Sequence, residues 1–335
     1  MSKGTEIILG LGILAGIAYL IRPAKAQPYI STASYTIIGN NGIIQAINGK
    51  TGNIDFSGND ATTVITDAIN NLPEGRWIAG STFKPLVAIN GFFTVRSIDL
   101  ASMMTLQIIG GLKLADNTNG NLLNVPGDVE VFGGVLNGNK TNNINSDIIH
   151  IEGWGLNYIH NIKIEDAALN GVNVVNSGGM GRIEDLIIID SNQNNLSIQN
   201  TNDWHITGVD MGRSGKAGIY LNNTGSDNIN EIFVWESGEE GILLNNADGL
   251  RFSTIRSDFN GHEGIKLINC DQTQLSNVSL INNSTKGAYY AMLTRGGWNM
   301  VIDNYMIYKY SGSNQINQIS HDELNIVIGN GWIQT

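Results

Sequence analysis

Pairs of apolar residues, separated by a single residue, recur along the chain at a nearly constant interval. The pairs are Ile149/Ile151, Val172/Val174, Leu196/Ile198, Ile219/Leu221, Ile242/Leu244 and Ile265/Leu267. Alternation with a period of two, in branched residues, predicts one strand in each repeat. Short apolar segments between the pairs, such as LIII at 186–189 and EIFV at 231–234, predict a second strand in each repeat.

The position just before each pair, here called the mark, fixes the interval. The marks are Ile148, Gly171, Asn195, Gly218, Gly241, Gly264 and, without a clear apolar pair after it, Gly287. The sequence number rises from each mark to the next by 23, 24, 23, 23, 23 and 23. No helical pattern separates the strands, so each repeat is expected to stack on the previous one at about 4.8 Å, as parallel strands do. We expect this order to loosen after Gly287.

Two polar columns support the same repeat. Five residues after the marks stand Asn176, Asn200, Asn223, Asn246 and Asn269. We predict that these side chains face inward and form a stacked hydrogen-bonded ladder, so that Asn246→Leu costs a few kcal/mol because its neighbours lose amide partners. Three residues before the marks stand Gly215, Gly238 and Gly261, which predict tight turns.

With these columns in place, the sequence resembles the right-handed parallel β-helix proteins of the pectin-lyase-like superfamily. Residues 54–75 predict a helix with Asp60 as N-cap and an apolar face that includes Val64 and Ile65. In this superfamily such a helix closes the open end of the first coil. The resemblance implies an all-β fold, a right-handed parallel β-helix with an N-terminal capping helix, in which each repeat of the sequence forms one coil.

The chain divides into three parts. We assign 1–26 to a hydrophobic anchor or signal segment, 27–90 to a β extension and the N-terminal cap, and 91–335 to the β-helix. The apolar run 7–21 precedes an A-x-A pattern at 24–26, which is typical of a cleaved secretory signal. Alternatively it is a retained N-terminal hydrophobic helix that anchors the chain in a membrane, and we take this as the leading interpretation.

Charge and cysteine content exclude several classes of function. Acidic residues outnumber basic ones by 30 to 19, a net charge of −11, which argues against nucleic-acid partners. Cys270 is the single cysteine, so neither an internal disulfide nor a multi-cysteine zinc site is possible. We predict no metal site from the sequence and no cofactor, with calcium as the exception if the protein is a lyase.

The motifs of the superfamily's enzymes are incomplete here. Polygalacturonase-type hydrolases have N-T-D, D-D, G-H-G and R-I-K motifs, whereas this chain has NTND at 200–203, GHEG at 261–264, GIK at 264–266 and no Asp-Asp pair. We therefore leave enzymatic activity open and favour a protein that is not an enzyme.

A stripe of polar residues in the turns before the marks holds the remaining candidates. Glu240, Glu263, Asp258 and His262 are the catalytic candidates, because stacked coils bring equivalent carboxylates close enough for acid/base work or chelation. The candidates for binding a glycan are Trp235, Glu236, Glu239 and Arg213. The alternative explanation is that solenoid turns face water and are charged for that reason alone.

The leading functional hypothesis is a membrane-tethered surface or virion β-helix protein, a spike-like or fibre-like component with a rigid surface for a glycan or receptor. The alternative is an exported polysaccharide lyase or glycoside hydrolase that acts on acidic polysaccharide. We expect a homo-oligomer or larger assembly, and membrane attachment through 7–21. The expected location is a cell surface or virion, or the extracellular medium if 7–21 is cleaved.

Overall fold

The protein is an all-β solenoid of about 11 turns with about 23 residues per coil. A computed structural model describes residues 33–78, 81–322 and 326–333. Within the coils, strands pair in parallel with the strand one coil later: Ile219 pairs with Ile242, and Ile242 pairs with Ile265. The interval read from the sequence is therefore the interval of the coil, and the predicted parallel stacking is confirmed.

The strands form three sheets. Sheet A contains β1 Tyr35–Asn40, β2 Ile43–Asn48, β3 Ile54–Gly58, β6 Leu86–Asn90, β7 Phe92–Val95, β9 Thr105–Ile108, β10 Gly111–Leu114, β12 Glu130–Phe132, β13 Val135–Asn137, β15 Asn157–His160, β16 Lys163–Glu165, β18 Gly181–Glu184, β19 Ile187–Ile189, β21 Trp204–Gly212, β23 Asn228–Trp235, β25 Arg251–Asp258, β27 Gln274–Ile281, β29 Val301–Tyr308, β31 Val327–Ile328 and β32 Gly331–Ile333. Sheet B contains β8 Ile98–Asp99, β11 Leu123–Val125, β14 Ile149–Ile151, β17 Val172–Val175, β20 Leu196–Asn202, β22 Ile219–Gly225, β24 Ile242–Asp248, β26 Ile265–Asp271, β28 Tyr290–Trp298 and β30 Ile316–Ser320. The third sheet is the antiparallel pair β4 Arg76–Ile78 and β5 Ser81–Phe83.

An antiparallel meander precedes the coils. Strands β1, β2 and β3 pair antiparallel, and β1 also pairs in parallel with β6, so the β extension continues sheet A. One helix is described, α1 at Ala61–Asn70, and the Asp60 carboxylate accepts a hydrogen bond from the backbone N–H of Thr62 at 2.9 Å. Its buried face, which includes Val64 and Ile65, packs against the meander, β7 and β8. Closure of the solenoid's end by α1 stays a prediction.

The hydrophobic segment 7–21 lies outside the described residues. Among the residues that the structure does describe, no helix combines the length and the apolar character needed to cross a membrane. The hydrophobic N-terminal helix and its membrane tether therefore stay predictions.

The core consists of the apolar residues that the alternation identifies. All six predicted pairs, from Ile149/Ile151 to Ile265/Leu267, are fully buried along sheet B. Burying branched side chains in layers on every coil is the main favourable contribution to folding, because each coil covers the apolar face of the last.

The repeat changes at the last mark. Ile265 pairs with Met292, so the residue equivalent to Gly264 is Ala291 and not Gly287. The sequence-based assignment of Gly287 is wrong by four residues, because the turn between β27 and β28 is longer than its counterparts in the preceding coils.

The asparagine ladder faces outward. The side chains of Asn176, Asn200, Asn223, Asn246 and Asn269 are all exposed. Hydrogen bonds of 3.0–3.1 Å join Asn200 to Asn176, Asn223 to Asn200 and Asn269 to Asn246. Each residue has a φ between +49° and +53°, where asparagine is favoured, and it bends the strand of sheet B there. The predicted inward direction is therefore wrong: this column supplies the left-handed bend.

The buried polar ladder occupies another position, one residue before the marks. This buried column consists of Asp147, Asn170, Asn194, Ala217, Glu240 and Glu263, and every member is buried. The Asn170 Nδ2 donates to Asp147 Oδ1 at 2.9 Å, and the Asn194 Nδ2 donates to Asn170 Oδ1 at 3.1 Å. The column places two predicted catalytic candidates, Glu240 and Glu263, inside the molecule.

Candidate functional site

Glu240, His262 and Glu263 lie together at the edge of sheet B. One ligand atom from each residue lies within 4.8 Å of the others. The turn charges were expected to face water, yet the side chains of Glu240 and Glu263 are only 5% and 4% exposed. They are buried because their shared position, one residue before the mark, faces the neighbouring coils rather than solvent.

Lys266 is the cation of this cluster, and the sequence analysis did not single it out. Its Nζ lies 2.8 Å from Glu240 Oε1 and 3.7 Å from Glu263 Oε2. Burial lowers the pKa of Lys266, but the hydrogen bond and charge of Glu240, with the charge of Glu263, outweigh burial and raise the pKa above its ordinary value. The ammonium is therefore fully charged at neutral pH.

Asp258, the fourth catalytic candidate, has a different partner. Its Oδ2 accepts from Arg256 Nε at 2.6 Å, and Arg256 lies over the Phe233 ring at 4.7 Å from the centroid. Burial raises the pKa of Asp258, although the Arg256 guanidinium opposes the shift.

The four predicted glycan-binding residues lie where strands β21 and β23 of sheet A end, in two successive coils. Arg213 donates two hydrogen bonds to Asp190, at 2.8 and 2.6 Å, and its guanidinium carbon lies 4.9 Å from the centroid of the Trp235 ring. The Trp235 ring also packs on Gly212, where an added Cβ would lie 2.3 Å from it. Glu236 is exposed and Glu239 is half-buried. Glycan binding by these residues stays a prediction.

A second region, residues 147–160, contains an aspartate–histidine pair that the sequence analysis missed. The His150 Nδ1 lies 3.2 Å from Asp147 Oδ2, and Asp147 also accepts from the Asn170 N–H, Asn170 Nδ2 and Asn173 Nδ2 at 2.8–3.0 Å. Burial raises the pKa of Asp147, but these hydrogen bonds outweigh burial and lower it. The Asp147 hydrogen bond raises the pKa of His150.

His150 lines a cleft on the outer face of sheet B. The cleft has a volume of about 440 Å³, and its polar lining is Asp99, Asn121, Asn124, His150 and Glu152. The His150 Nε2 lies 3.7 Å from Glu152 Oε2. Asp147 holds the Nδ1 side of the ring, so the Nε2 side is the one that a ligand in the cleft can contact.

Trp154 comes two residues after Glu152, which lines this cleft, and is 80% exposed. Gly153 and Gly155 flank it with φ values of +137° and +139°, a backbone conformation that residues other than glycine rarely adopt. The Trp154 ring packs over Gly178 of the next coil, where an added Cβ would lie 2.2 Å from it. The loop therefore holds a large aromatic ring at the surface.

Beyond the loop, β15 begins an acid–base cluster on the outer face of sheet A. The Tyr158 hydroxyl donates to Glu184 Oε2 at 2.6 Å, and His160 Nε2 lies 3.2 Å from Glu130 Oε1. The Tyr158 and His160 rings stack at 4.0 Å. The His160 hydrogen bond lowers the pKa of Glu130, although burial opposes it, and burial followed by the Glu184 contact raises the pKa of Tyr158. Tyr158 thus stays a proton donor and Glu130 an anion.

A local signal for this region is present in the sequence. Two of the five histidines stand ten residues apart, at His150 and His160, with Trp154 and Tyr158 between them. These four aromatic residues form no column that recurs once per coil, because none of them is followed by the same residue type one coil later.

Comparisons with known proteins support the fold. No protein-family model matches the chain, and no curated protein matches it. Among solved structures, the enzymatically active domain of tailspike protein 2 from bacteriophage CBA120 matches with a TM-score of 0.69 at 14% identity, over 88% of this chain and 49% of that one. The Dettilon tailspike protein matches with a TM-score of 0.55 at 13% identity, over 80% and 65% of the two chains.

A bacterial enzyme module is also similar. The A-module of the mannuronan C-5 epimerase AlgE4 from Azotobacter vinelandii matches with a TM-score of 0.51 at 15% identity, over 82% of this chain and 94% of that one. This chain spans about half the length of the CBA120 tailspike structures it matches. With the parallel coils described above, these likenesses show that the chain has the parallel β-helix fold of these structures, which is the fold that its resemblance to the pectin-lyase-like superfamily implied.

Proposed function

We propose that this chain is a tailspike-like β-helix protein that binds a glycan on a virion or cell surface. The observation that carries the proposal is the exposed Trp154 ring next in sequence to the cleft of His150 and Glu152. The CBA120 and Dettilon tailspikes, which share the fold, support the assignment to a surface protein.

The chemistry of this region suits a sugar. One face of a pyranose ring is apolar and stacks on an indole ring, while carboxylates and amides bind the hydroxyl groups around its rim. Asp99, Asn124 and Glu152 provide such groups in the cleft. Because the carboxylates of Asp99 and Glu152 would repel an anion, the cleft favours a neutral sugar unit over a uronate.

Replacement of Trp154 by alanine tests the binding site. The change should weaken glycan binding at least tenfold, measured by calorimetry with the best ligand from a glycan array, because the stacking surface is lost. Trp235→Ala is the matched control, since its ring is already covered by Gly212 and Arg213. Equal losses for both variants, or a loss for Trp235→Ala alone, would move the site to the regular turns around Trp235.

Membrane tethering and assembly belong to the same proposal. The apolar segment 7–21 is the proposed tether, and a homo-oligomer is the proposed form of display. N-terminal sequencing of protein from its natural source should find residues before Gln27. A mature chain that starts at Gln27 would identify 7–21 as part of a cleaved signal.

The acid–base cluster favours a second candidate function, cleavage of an acidic polysaccharide. In this function Tyr158 donates a proton, and His160, whose Nε2 faces Glu130, accepts one at Nδ1 in place of the hydrogen bond from the Asn161 amide. If the unaltered protein releases reducing ends or unsaturated products, with or without calcium, Tyr158→Phe should lower that release at least 100-fold and Tyr220→Phe on sheet B should not. We expect no steady release by the unaltered protein, because the enzyme motifs are incomplete. Steady release from any glycan would make the enzyme the leading function.

A further inference from the structure

Two carboxylates at one end of the buried column have fewer partners than the carboxylate at the other end. Asp147 receives four hydrogen bonds, from His150, Asn173 and twice from Asn170. Glu240 and Glu263 share one ammonium, that of Lys266. Ala217, the preceding member of the column, has no side-chain amide to donate.

The second observation concerns one oxygen atom. Glu263 Oε2 is buried and receives no hydrogen bond, and its side chain is only 4% exposed. Buried polar atoms are nearly always paired, and a buried carboxylate without a donor is costly. The Glu263 carboxylate supplies one of the three ligand atoms that lie within 4.8 Å of one another, with those of Glu240 and His262.

The two carboxylates of the cluster share one lysine. Glu240 and Glu263 carry two negative charges, Lys266 supplies one positive charge, and the next group, the His262 Nδ1, lies 3.6 Å from Glu240 Oε1. The His262 ring is placed by the Tyr289 ring, with centroids 4.4 Å apart. Glu263 therefore has no cation within 4.0 Å besides the Lys266 ammonium, which it shares with Glu240, among the residues that the structure describes.

We propose that Glu240, His262 and Glu263 form a site for a divalent metal ion of the zinc type, which binds in exchange for the Lys266 ammonium. Two carboxylate oxygens and one imidazole nitrogen are a donor set that zinc and its first-row neighbours accept, whereas calcium prefers oxygen alone. Lys266 is 25% exposed at its side chain, and its flexible stem can move the ammonium into water. The sequence analysis considered chelation by Glu240 and Glu263 but predicted no metal site.

Such an ion would join successive coils. Glu240 belongs to one coil, and His262 and Glu263 belong to the next, so the ion would crosslink two coils at the edge of sheet B. Because the imidazole must be neutral to bind a metal ion, the ion and a proton compete for the His262 ring.

The test uses the full chain, stripped of metal with a chelator. Cobalt(II) is titrated and followed by its visible absorption, and zinc is titrated by calorimetry. We expect one ion per chain, and a melting temperature that rises with zinc concentration as mass action requires. Glu263→Gln and His262→Ala should each weaken binding at least 100-fold, while Lys266→Met should strengthen it about tenfold or more. Glu236→Gln, an exposed neighbour, is the matched control and should bind like the unaltered protein.

Several results would overturn the proposal. These are no saturable binding by the unaltered chain, binding by Lys266→Met alone, or full affinity in both Glu263→Gln and His262→Ala. His262 is 25% exposed at its side chain, so its replacement should fold even if Glu263→Gln does not. The readouts involve no glycan, so failure here is distinct from failure of the proposed function.

Discussion

The irregular coils, residues 98–165, and the regular coils, residues 196–281, have the same fold but differ in the length of their strands and in the spacing of their repeats. In the irregular coils the strands of sheet B are short, and the sequence number rises by 25, 26 and 23 along the paired residues Ile98, Leu123, Ile149 and Val172. In the regular coils the sheet B strands are longer, and every such step is 23. The segment from Ile151 to Tyr158, which carries Trp154, has as many residues as its counterpart from Ile198 to His205, but it forms no strand between β14 and β15. Shorter strands, and not extra residues, therefore leave the segment around Trp154 free to carry exposed chemistry.

The buried column shows the same difference at single positions. Asp147 and Glu263 both stand one residue before a mark, and His150 and Lys266 both stand three residues after these carboxylates. In the irregular coil, amides from the next coil complete the pair of Asp147 and His150. In the regular coil a second carboxylate, Glu240, shares the cation. Equivalent positions thus carry a fully hydrogen-bonded pair, Asp147 and His150, at one end of the column. At the other end they carry two carboxylates that share one lysine.

The largest loss of stability is expected when the hydrogen bonds around Asp147, at the satisfied end of the buried column, are removed. Asn170→Leu removes the amide that donates to Asp147 and accepts from Asn194, so it leaves a buried carboxylate and a buried amide with fewer partners. We expect a loss of about 3–5 kcal/mol in the free energy of unfolding, measured with urea. Asn245→Leu is the control, because its half-buried amide on the regular coils bonds to Asn222 and should cost about 1 kcal/mol or less. Similar losses for both would remove the contrast between the two columns.

The fold was predictable from the sequence because its main signal is periodic. The alternating pairs identify the strands, and constant steps identify parallel stacking, since each coil must bury the same face. The direction of the asparagine column was not predictable in this way. Asparagine serves both a buried amide ladder and an exposed left-handed bend, and only the φ values near +50° at Asn246 and its equivalents distinguish them.

The site was less predictable because its residues do not repeat. Glu240 and Glu263 were found by their spacing, but their burial and the role of Lys266 depend on which way each side chain leaves the coil. The contacts of Tyr158 with Glu184 and of His160 with Glu130 join residues 26 and 30 positions apart, and these intervals follow from loop lengths in the irregular coils. No pattern of residue types gives those lengths.

The second prediction compares how the contributions of two buried aspartates to stability depend on pH. Burial raises the pKa of Asp227 in the regular coils from 3.8 to about 6, even though Thr224 and the Trp204 N–H donate to it. The folded state favours the protonated form of Asp227. Asp227 therefore adds on the order of 3 kcal/mol to the free energy of unfolding below about pH 4, and this contribution is lost as the pH rises through 6. Asp147 has a lowered pKa, so its contribution is present above the ordinary aspartate pKa and is lost as the pH falls.

Urea unfolding between pH 3 and 8 separates these two contributions. Asp227→Asn should reduce the fall in stability between pH 4 and 6, to which Asp258 also contributes because burial raises its pKa as well, while leaving the loss at lower pH in place. If the variant and the unaltered protein have parallel profiles across that window, Asp227 does not titrate as its burial indicates.

The third prediction concerns the exposed asparagine column, which replaces the inward ladder expected from the sequence. Asn246→Leu should cost about 1–2 kcal/mol, because a leucine at a φ of +49° is strained, and not the several kcal/mol that a buried ladder implies. Asn246→Gly should cost only a few tenths of a kcal/mol, since glycine adopts this φ freely. Thermal unfolding of the two variants gives the comparison. Equal losses would show that the hydrogen bond from Asn269, and not the backbone, is the main contribution of Asn246.

The smallest expected effect belongs to the surface of the regular coils. Arg213 is exposed and contacts Asp190 and the Trp235 ring, so Arg213→Ala should cost about 1 kcal/mol or less. Solvent and salt screen such contacts, so the loss should shrink when urea unfolding is repeated in about 1 M salt, where charges interact over only about 3 Å. Lys216→Ala, an exposed residue of the same turn, should change stability less than Arg213→Ala at low salt. A loss of several kcal/mol that salt does not reduce would mean that Arg213 supports the packing of the coils, as Asn170 does, and the regular surface would then be structural as well as exposed.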